Sequence, residues 1–383
     1  MERKLRMGMI GGGPGAFIGA VHRMAANLDG LIELVCGAFS SDAERSMITG
    51  KELFLPVTRI YGSYKEMIRT EAGLPADQRM DFVSIVTPNH LHFEPAKLAL
   101  ENGFHVVMDK PMTFNLDEAN ALKKLVESTG LIFCLTHTYT GYPMVKEARQ
   151  QVLSGKLGKI RKVFVEYPQG WLSDLLEEQD QKQASWRTDP SKSGMAGAMG
   201  DIGTHAFNLA EYVSGLRTEK ICADVNIVLE GRQLDDDGAV LLKFDNGASG
   251  FLVATQVASG EENNIRIRVY GENAGLEWQQ EDMNSLIIKW KDKPAEILRA
   301  GAGYLSKSAL HNCRTPAGHP EGWIEAFANH YRNFALTTMA KIKGIESKSE
   351  WLDFPGVEDG VRGMRFIQKV IESGKSSDKW IEY

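Results

Sequence analysis

The chain is poor in cysteine, in long apolar runs and in net charge. Its 383 residues include 4 cysteines, Cys36, Cys134, Cys222 and Cys313. They lie far apart and form neither a zinc-ligand pair nor a dense disulfide framework. Cys36 and Cys134 fall inside apolar strand-like runs and read as core residues, which fits a reducing, cytoplasmic compartment. No apolar run reaches the roughly 18 residues that span a bilayer, so no membrane association is expected. The opening MERKLRMGMIGGG is positively charged but lacks a long apolar core and a small-residue cleavage site, which speaks against a signal peptide. A net charge of −6 and a pI near 5.9 exclude the clustered basic footprint of a nucleic-acid binder. The acidic excess is also too small to imply a basic partner. Neither a G-x-S-x-G elbow nor an internal repeat, heptad array or low-complexity segment occurs. His90 and His92 are adjacent-but-one with no carboxylate pair at ligand spacing, and His311 and His319 share a loop with Cys313. No metal site is expected.

What is present is ordinary globular composition, 43% hydrophobic and 25% charged, at a length natural for two domains. Residues 5–22, LRMGMIGGGPGAFIGAVH, organise the first. An apolar run, Leu5 to Ile10, ends in glycines, and a helical segment begins near Ala16. Gly11, Gly13 and Ala16 satisfy G-x-G-x-x-G/A in the order strand, turn, helix. The first glycine permits a tight turn, the second lets a pyrophosphate approach the backbone, and the small third residue lets helix and strand pack closely. An anion then rests on the N–H groups at the helix start. Pro14, Gly15 and Phe17 complete this loop as candidate cofactor contacts. A plain solvent turn is the alternative.

Strand and helix signals alternate after the loop: IELVCGAF (32–39), a helix after SSDAERS with Ser41 or Asp42 as its cap, YGSYKEMIRTEAG, DFVSIVTP (81–88), LHFEPAKLALENG, FHVVMDKP (104–111), LDEANALKKLVESTG and LIFCLTHT (131–138). Buried strands flanked by helices imply a doubly wound parallel sheet over about residues 1–140. Ligands bind such sheets outside the carboxyl ends of the strands. Those ends carry GGGPGAF, FSSD, TPNHLH, MDKP and LTHTYTGYP, so the polar residues of this half converge on one rim.

From about residue 145 the pattern changes. A helix (VKEARQQVLSGKLG) and a strand (KIRKVFVEYP) lead to a long polar connection rich in glycine toward its end, then to a helix, GDIGTHAFNLAEYVSGL. Strands follow: ICADVNIVLEG, GAVLLKFDNG, ASGFLVATQVASG, NIRIRVYG, GLEWQQ and SLIIKWK. They predict a large, open, mainly antiparallel sheet within a second domain, residues 141–383, whose outer face needs a cover. We expect that cover to be a second subunit; helices of the same chain are the alternative. Helices are expected over 322–340 and about 357–373, the last packing back on the first domain.

Three stretches carry chemistry. Asp109-Lys110-Pro111 puts a lysine at the rim of the first sheet, where it can reach over a nicotinamide or donate to a substrate oxygen, and a cis Lys-Pro bond would fix its direction. Asp201 and His205 are four apart and share one helix face. Histidine serves as a base near neutral pH, and the aspartate can orient a substrate hydroxyl; a capped helix with a buried histidine is the plain alternative. The glycine-rich lead-in is costly to order unless it wraps a ligand. In Thr87-Pro88-Asn89-His90-Leu91-His92, Asn89 and His92 are candidates for cofactor contact or for starting the next helix, and His90 reads as an exposed capping residue.

The glycine loop with its trailing His22, then TPNHLH, MDKP and GDIGTH, resemble in order and separation the glucose–fructose oxidoreductase, inositol dehydrogenase and rhizopine-catabolism (Gfo/Idh/MocA) family, over nearly the whole chain. The resemblance implies a Rossmann domain, residues 1–140, followed by an α/β substrate domain with an open antiparallel sheet, assembled as homodimers or homotetramers through that sheet. It implies NAD or NADP bound by Gly11, Gly13, Pro14, Gly15, Ala16, Phe17, Thr87, Pro88, Asn89, His92, Asp109 and Lys110, and a sugar or cyclitol bound by His137, Trp186, Arg187, Asp201 and His205. In catalysis Lys110 would hold the reacting oxygen, His205 take its proton and Asp201 position both. The family glutamate before the lysine is Asp109 here, one methylene shorter. No acid that would grip the ribose follows the second strand; Ser40 with Arg45 would tolerate a 2′-phosphate. A polyol dehydrogenase is the leading expectation, an NAD-dependent redox-assisted glycoside hydrolase the second. A non-catalytic ligand sensor is disfavoured, since both Lys110 and His205 are present.

Overall fold

A computed structural model of the chain describes residues 3–179 and 181–383; Met1, Glu2 and Asp180, the last within the long polar connection, lie outside the described residues. The chain divides into two compact units, Met1–Thr138 with Phe327–Val361, and Tyr139–Ala326 with Arg362–Tyr383.

In the first unit, β1 (Leu5–Gly11), α1 (Phe17–Asn27), β2 (Ile32–Ala38), α2 (Ala43–Glu52), α3 (Tyr64–Gly73), β3 (Phe82–Val86), α4 (Phe93–Glu101), β4 (His105–Met108), α5 (Leu116–Thr129) and β5 (Phe133–Leu135) follow in order. The strands form a parallel sheet in the order β2-β1-β3-β4-β5. Every residue of β3 is buried, as expected for a strand covered on both faces. Asp42 caps α2 by accepting from the Arg45 N–H, and Gly130 ends α5 in a left-handed conformation.

The second unit begins with α6 (Pro143–Leu153) and β6 (Lys162–Pro168). The long connection contains two short helices, α7 (Lys182–Arg187) and α8 (Pro190–Ser193). Asp189 caps α8 and Pro190 opens it, a start signal readable in the sequence. The GDIGTH stretch is not simply the start of a helix. Met199–Gly203 forms a π-helical turn, and the regular helix α9 begins at Thr204 and runs to Ser214. Then come β7 (Thr218–Asn226), β8 (Asp237–Phe244), β9 (Ser249–Thr255), β10 (Arg266–Tyr270), β11 (Ala274–Gln279), β12 (Ser285–Trp290), β13 (Glu296–Arg299) and α10 (Lys307–His311). Two helices, α11 (Trp323–Lys343) and α12 (Val357–Lys375), and the terminal strand β14 (Trp380–Glu382) complete the chain.

Nine strands form one sheet in the order β13-β12-β11-β10-β6-β9-β8-β7-β14. All pairs are antiparallel except β6 with β9. The short edge strands β13 and β14 were not expected from the sequence. One face, carrying Val163, Val165, Val240, Leu252, Ile267, Val269 and Leu276, is buried beneath α6 and α9. Across the other face, directly paired residues make one continuous row, Trp380, Cys222, Leu241, Phe251, Phe164, Arg268, Glu277, Ile287 and Ile297.

Both of the last two helices are divided between the two units. From Phe327 onward α11 belongs with the first unit, where Phe334 packs edge-on against Phe82 at 4.9 Å and the Tyr331 hydroxyl bonds Ser84 at 2.8 Å. The first part of α12, Val357–Val361, goes with the first unit, where Glu358 pairs with Lys123, and from Arg362 onward the helix goes with the second. Arg362 pairs with Glu211 of α9, and Phe366 stacks on Phe207 at 4.5 Å. Phe366 is completely buried, so Phe366→Ala is expected to destabilise the second unit by about 3–5 kcal/mol through lost contact and a residual cavity. Urea unfolding followed by tryptophan fluorescence would measure this, and a shift below about 1 kcal/mol would be incompatible with that packing.

Candidate functional site

The glycine loop of the first unit is built for close approach. Gly11, Gly12 and Gly15 have φ of +88°, +76° and +74°, conformations that favour glycine. A Cβ on Gly13 would lie 2.6 Å from the Phe39 carbonyl oxygen. The residue that seats the helix against the loop is Gly19, whose Cβ would lie 2.4 Å from the Gly12 Cα. The expectation that Ala16 plays this part is corrected: Ala16 is the half-buried N-cap of α1. That cap makes no side-chain hydrogen bond, and the first turn of α1 carries no acidic residue. The positive end of the helix therefore points its polarity at the loop.

Beside the loop, the Arg45 guanidinium donates to the Pro14 carbonyl at 3.2 Å, and Ser40 Oγ accepts from the Asp42 N–H at 3.1 Å. After β3, Thr87 donates to the Leu91 carbonyl at 3.1 Å, Pro88 is half-buried and Asn89 is buried. His92 is turned inward rather than outward to a ligand. Its Nδ1 lies 2.9 Å from the Pro111 carbonyl oxygen and its Nε2 2.7 Å from that of Thr87. The ring thus joins the turns after β3 and β4. Two carbonyls can both accept only from a ring carrying two N–H groups. Burial wins and lowers the ring's pKa, against the opposing pull of Asp109 and the carbonyls, so the neutral ring donates to one of the two carbonyls at a time. After β4, Asp109 Oδ1 accepts from the Lys110 N–H at 2.9 Å and the Thr136 hydroxyl at 3.0 Å, and the Lys110–Pro111 bond is cis. His137, after β5, is buried; burial first, then Lys110 and His330, hold it neutral with a pKa of about 3. The trailing His22 lies under the rim, with Nδ1 2.7 Å from the Tyr331 hydroxyl.

In the second unit, Asp201 sits on the π-turn. Its Oδ2 accepts from Arg187 Nε at 3.2 Å and Gln256 Nε2 at 2.9 Å. The Arg187 guanidinium also lies over the Trp186 ring at 4.3 Å and bonds Gln183 Oε1 at 2.6 Å. His205, one turn onward, is buried and meets Tyr139 edge-on at 4.9 Å and Tyr167 at 6.3 Å. The two tyrosine hydroxyls bond each other, and Asn263 joins them, accepting from Tyr167 at 2.8 Å and donating to Tyr139 at 3.3 Å. Burial above all raises both phenols; Tyr139 next raises Tyr167, and the Asp201 charge adds a smaller push to each. The structure thus brings Trp186, Arg187 and Asp201 together, with Gln169, Gln256, Tyr139, Tyr167, Asn263 and Trp171 beside them, none of which the sequence reading singled out. Strand alternation carried part of the signal, since Tyr167 continues the buried positions Val163 and Val165. Gln169 and Gln256 follow the ends of β6 and β9, neighbours only because those strands pair in parallel.

The sequence profile of the oxidoreductase family with an NAD-binding Rossmann fold matches residues 5–137, and that of the GFO/IDH/MocA C-terminal domain matches residues 145–277. Uncharacterized oxidoreductase YfiI of Bacillus subtilis (strain 168) is 32% identical over 100% of this chain and 98% of its own. The crystal structure of an oxidoreductase from Sinorhizobium meliloti is 42% identical, with a TM-score of 0.89 over 99% of each chain. An inositol dehydrogenase homolog from Azotobacter vinelandii, solved with NADH and myo-inositol, is 32% identical, with a TM-score of 0.91 over 100% of this chain and 98% of its own.

Burial of His22 gives a pH signature. Its pKa falls from 6.5 to about 4 on folding, chiefly through desolvation. Between those values the unfolded chain binds the proton and the folded chain does not. Stability is therefore full above 6.5 and falls as pH drops toward 4, by on the order of 3 kcal/mol for this group. Urea unfolding from pH 7 to pH 5 should show a shallower pH slope in His22→Gln than in the unsubstituted protein; equal slopes would refute the assignment.

Proposed function

The chain belongs to the GFO/IDH/MocA oxidoreductase family, and with that as premise we propose that it moves a hydride between nicotinamide and a ring carbon of a sugar, glycoside or cyclitol, interconverting CH–OH and C=O. The observation that carries the substrate half is the hydrogen-bonding cluster around Asp201, in which carboxylate, guanidinium, amide and phenol groups lie beside a tryptophan face. Such a surface suits a polyhydroxylated ring with one apolar face. The cofactor half is supported by the glycine loop, whose backbone packs so closely that a methyl group on Gly13 would strike the Phe39 carbonyl oxygen, 2.6 Å away. Bound NAD or NADP supplies the hydride acceptor. Gly11, Gly13, Pro14, Gly15, Ala16 and Phe17 hold the pyrophosphate side, and Ser40 and Arg45 lie where the ribose or its phosphate would be met. Thr87, Pro88, Asn89 and Asp109 border the nicotinamide side, and His92 acts from beneath by fixing two of the turns. During oxidation His205 takes the hydroxyl proton, Lys110 holds and polarises the oxygen as it becomes a carbonyl, and Asp201 orients the hydroxyl. Trp186, Arg187 and His137 complete the substrate contacts.

We also assign a homodimer or homotetramer assembled through the nine-stranded sheet, and a cytoplasmic location. The first rests on the row from Trp380 to Ile297, in which Trp380, Leu241 and Ile297 are 44%, 46% and 55% exposed. A row that is apolar at its two ends and interrupted by Arg268 and Glu277 is a reason to expect a partner surface. The second rests on four cysteines that form no disulfide.

Two measurements test these readings. Protein mixed with NAD or NADP and a panel of cyclitols, aldoses and glycosides should raise the absorbance of reduced nicotinamide, and Lys110→Ala and His205→Ala should each lower kcat by about 10²–10⁴-fold. Glycoside cleavage with no net change in absorbance would favour the redox-assisted hydrolase instead. In sedimentation, Leu241→Asp combined with Phe251→Asp should yield monomers; an unchanged mass would remove the sheet from the interface.

A further inference from the structure

The π-turn that presents Asp201 is held on its leading side by a single residue. Gly197, Ala198 and Met199 expose three successive backbone N–H groups, which need acceptors where regular helix geometry supplies none. Asp235 meets all three. Its carboxylate accepts from Gly197 through Oδ1 and from Met199 through Oδ2, each at 2.7 Å, and its carbonyl accepts from Ala198 at 2.8 Å. The approach is close enough that a Cβ on Gly197 would lie 2.1 Å from that carbonyl oxygen. Burial raises the Asp235 carboxyl to about 6, against the pull of its two N–H donors.

The following residue reaches Asp201 by a second route. The Asp236 carbonyl accepts from the Gln256 N–H at 2.8 Å, and the Gln256 side chain donates to Asp201 Oδ2 at 2.9 Å. The Asp236 carboxylate is engaged elsewhere, by the Val228 and Leu229 N–H groups and by Arg232 at 3.1 Å. Arg232 extends this support to Glu177 at 3.0 Å and to the Asp174 carbonyl at 2.9 Å, in the long connection that also bears Arg187. The two residues leading into β8 thus hold the backbone just before Asp201, one of its side-chain partners and part of the segment carrying the other.

We propose that Asp235 is a positioning residue for polyol oxidation, clamping the 197–199 backbone so that Asp201 meets the substrate hydroxyl in a fixed direction. The inference rests on the function proposed above. It does not make Asp235 catalytic, because the side chain is spent on backbone amides.

Asp235→Asn tests it. The amide keeps the size of the carboxylate but offers one acceptor where two are needed, and turns its NH2 toward the other N–H. With NAD and the polyol that the unsubstituted protein oxidises, kcat is expected to fall about 10- to 100-fold, as misplacement of a reacting partner predicts. The Kd for NADH should be unchanged, and backbone amides over residues 197–201 should exchange hydrogen faster. If Asp235→Asn does not fold, Gly197→Ala crowds the same carbonyl without touching the carboxylate and should give the same pattern. Unchanged exchange would show that the clamp is absent. Faster exchange with unchanged kcat would show that it holds the fold alone. An equal loss of NADH affinity would mean general damage. Each of these results overturns the proposal. If the unsubstituted protein oxidises no polyol, the assigned reaction fails, and the exchange measurement still decides the clamp.

Discussion

The geometry of the first unit depends on a contact that leaves no room for a methyl group. Gly19 lies so close to Gly12 that a Cβ would fall 2.4 Å from the neighbouring Cα. This approach brings the start of α1 against the loop after β1, and with it the N–H groups at the helix terminus. Helix polarity acts over about one turn, so a bulkier contact would retract the very groups that meet an anion. Gly13 against the Phe39 carbonyl has the same logic from the side of β2. Neither contact adds much binding energy by itself. Each lets two backbone segments close up where a side chain would hold them apart.

How much of this was readable in advance depended on sequence separation. The parallel sheet was legible because each strand is a short apolar run between a glycine or proline stop and a helix, as in Phe82–Val86 before Pro88. The loop was legible as a class, but the position of its tight contact was not. Ala16 fits the spacing pattern, whereas the helix that forms buries Gly19, and only backbone geometry decides between them. The pairing of β6 with β9 joins Lys162 to Ser249 and Pro168 to Thr255, residues remote in sequence, and no local periodicity encodes it. Gln169 and Gln256 were invisible as neighbours for that reason. The split of α11 and α12 between units was hidden similarly: an amphipathic helix announces that it has a buried face, not which surface buries it.

Histidines illustrate how environment overrides residue type. Nine are present, and the motif around residues 87–92 drew attention to His92 as a cofactor contact or the start of the next helix; it is the N-cap of α4. The structure uses it as a brace between two carbonyls. His22 and His137 are held neutral by burial, with pKa values of about 4 and about 3. A histidine that stays neutral across the physiological range cannot act as a proton switch there, although it can orient neighbours through fixed hydrogen bonds. The lysine at the rim is consistent with this arrangement, since a second permanent positive charge at His137 would oppose it.

The chemistry of hydride transfer is the same for any secondary hydroxyl, so it cannot choose the substrate. Choice must come from groups that meet the other hydroxyls. In the substrate site proposed around Asp201 these would be mostly amides and phenols already bonded to their neighbours: Gln169 with Trp171, Gln256 with Asp201, Asn263 with Tyr139 and Tyr167. A ligand hydroxyl that enters such a network must replace a bond as well as make one. A ring lacking that hydroxyl would leave polar groups unsatisfied, a penalty larger than that for a missing methylene. Rejection of deoxy analogues, more than affinity for the correct ring, is therefore the discrimination that this arrangement is physically suited to provide.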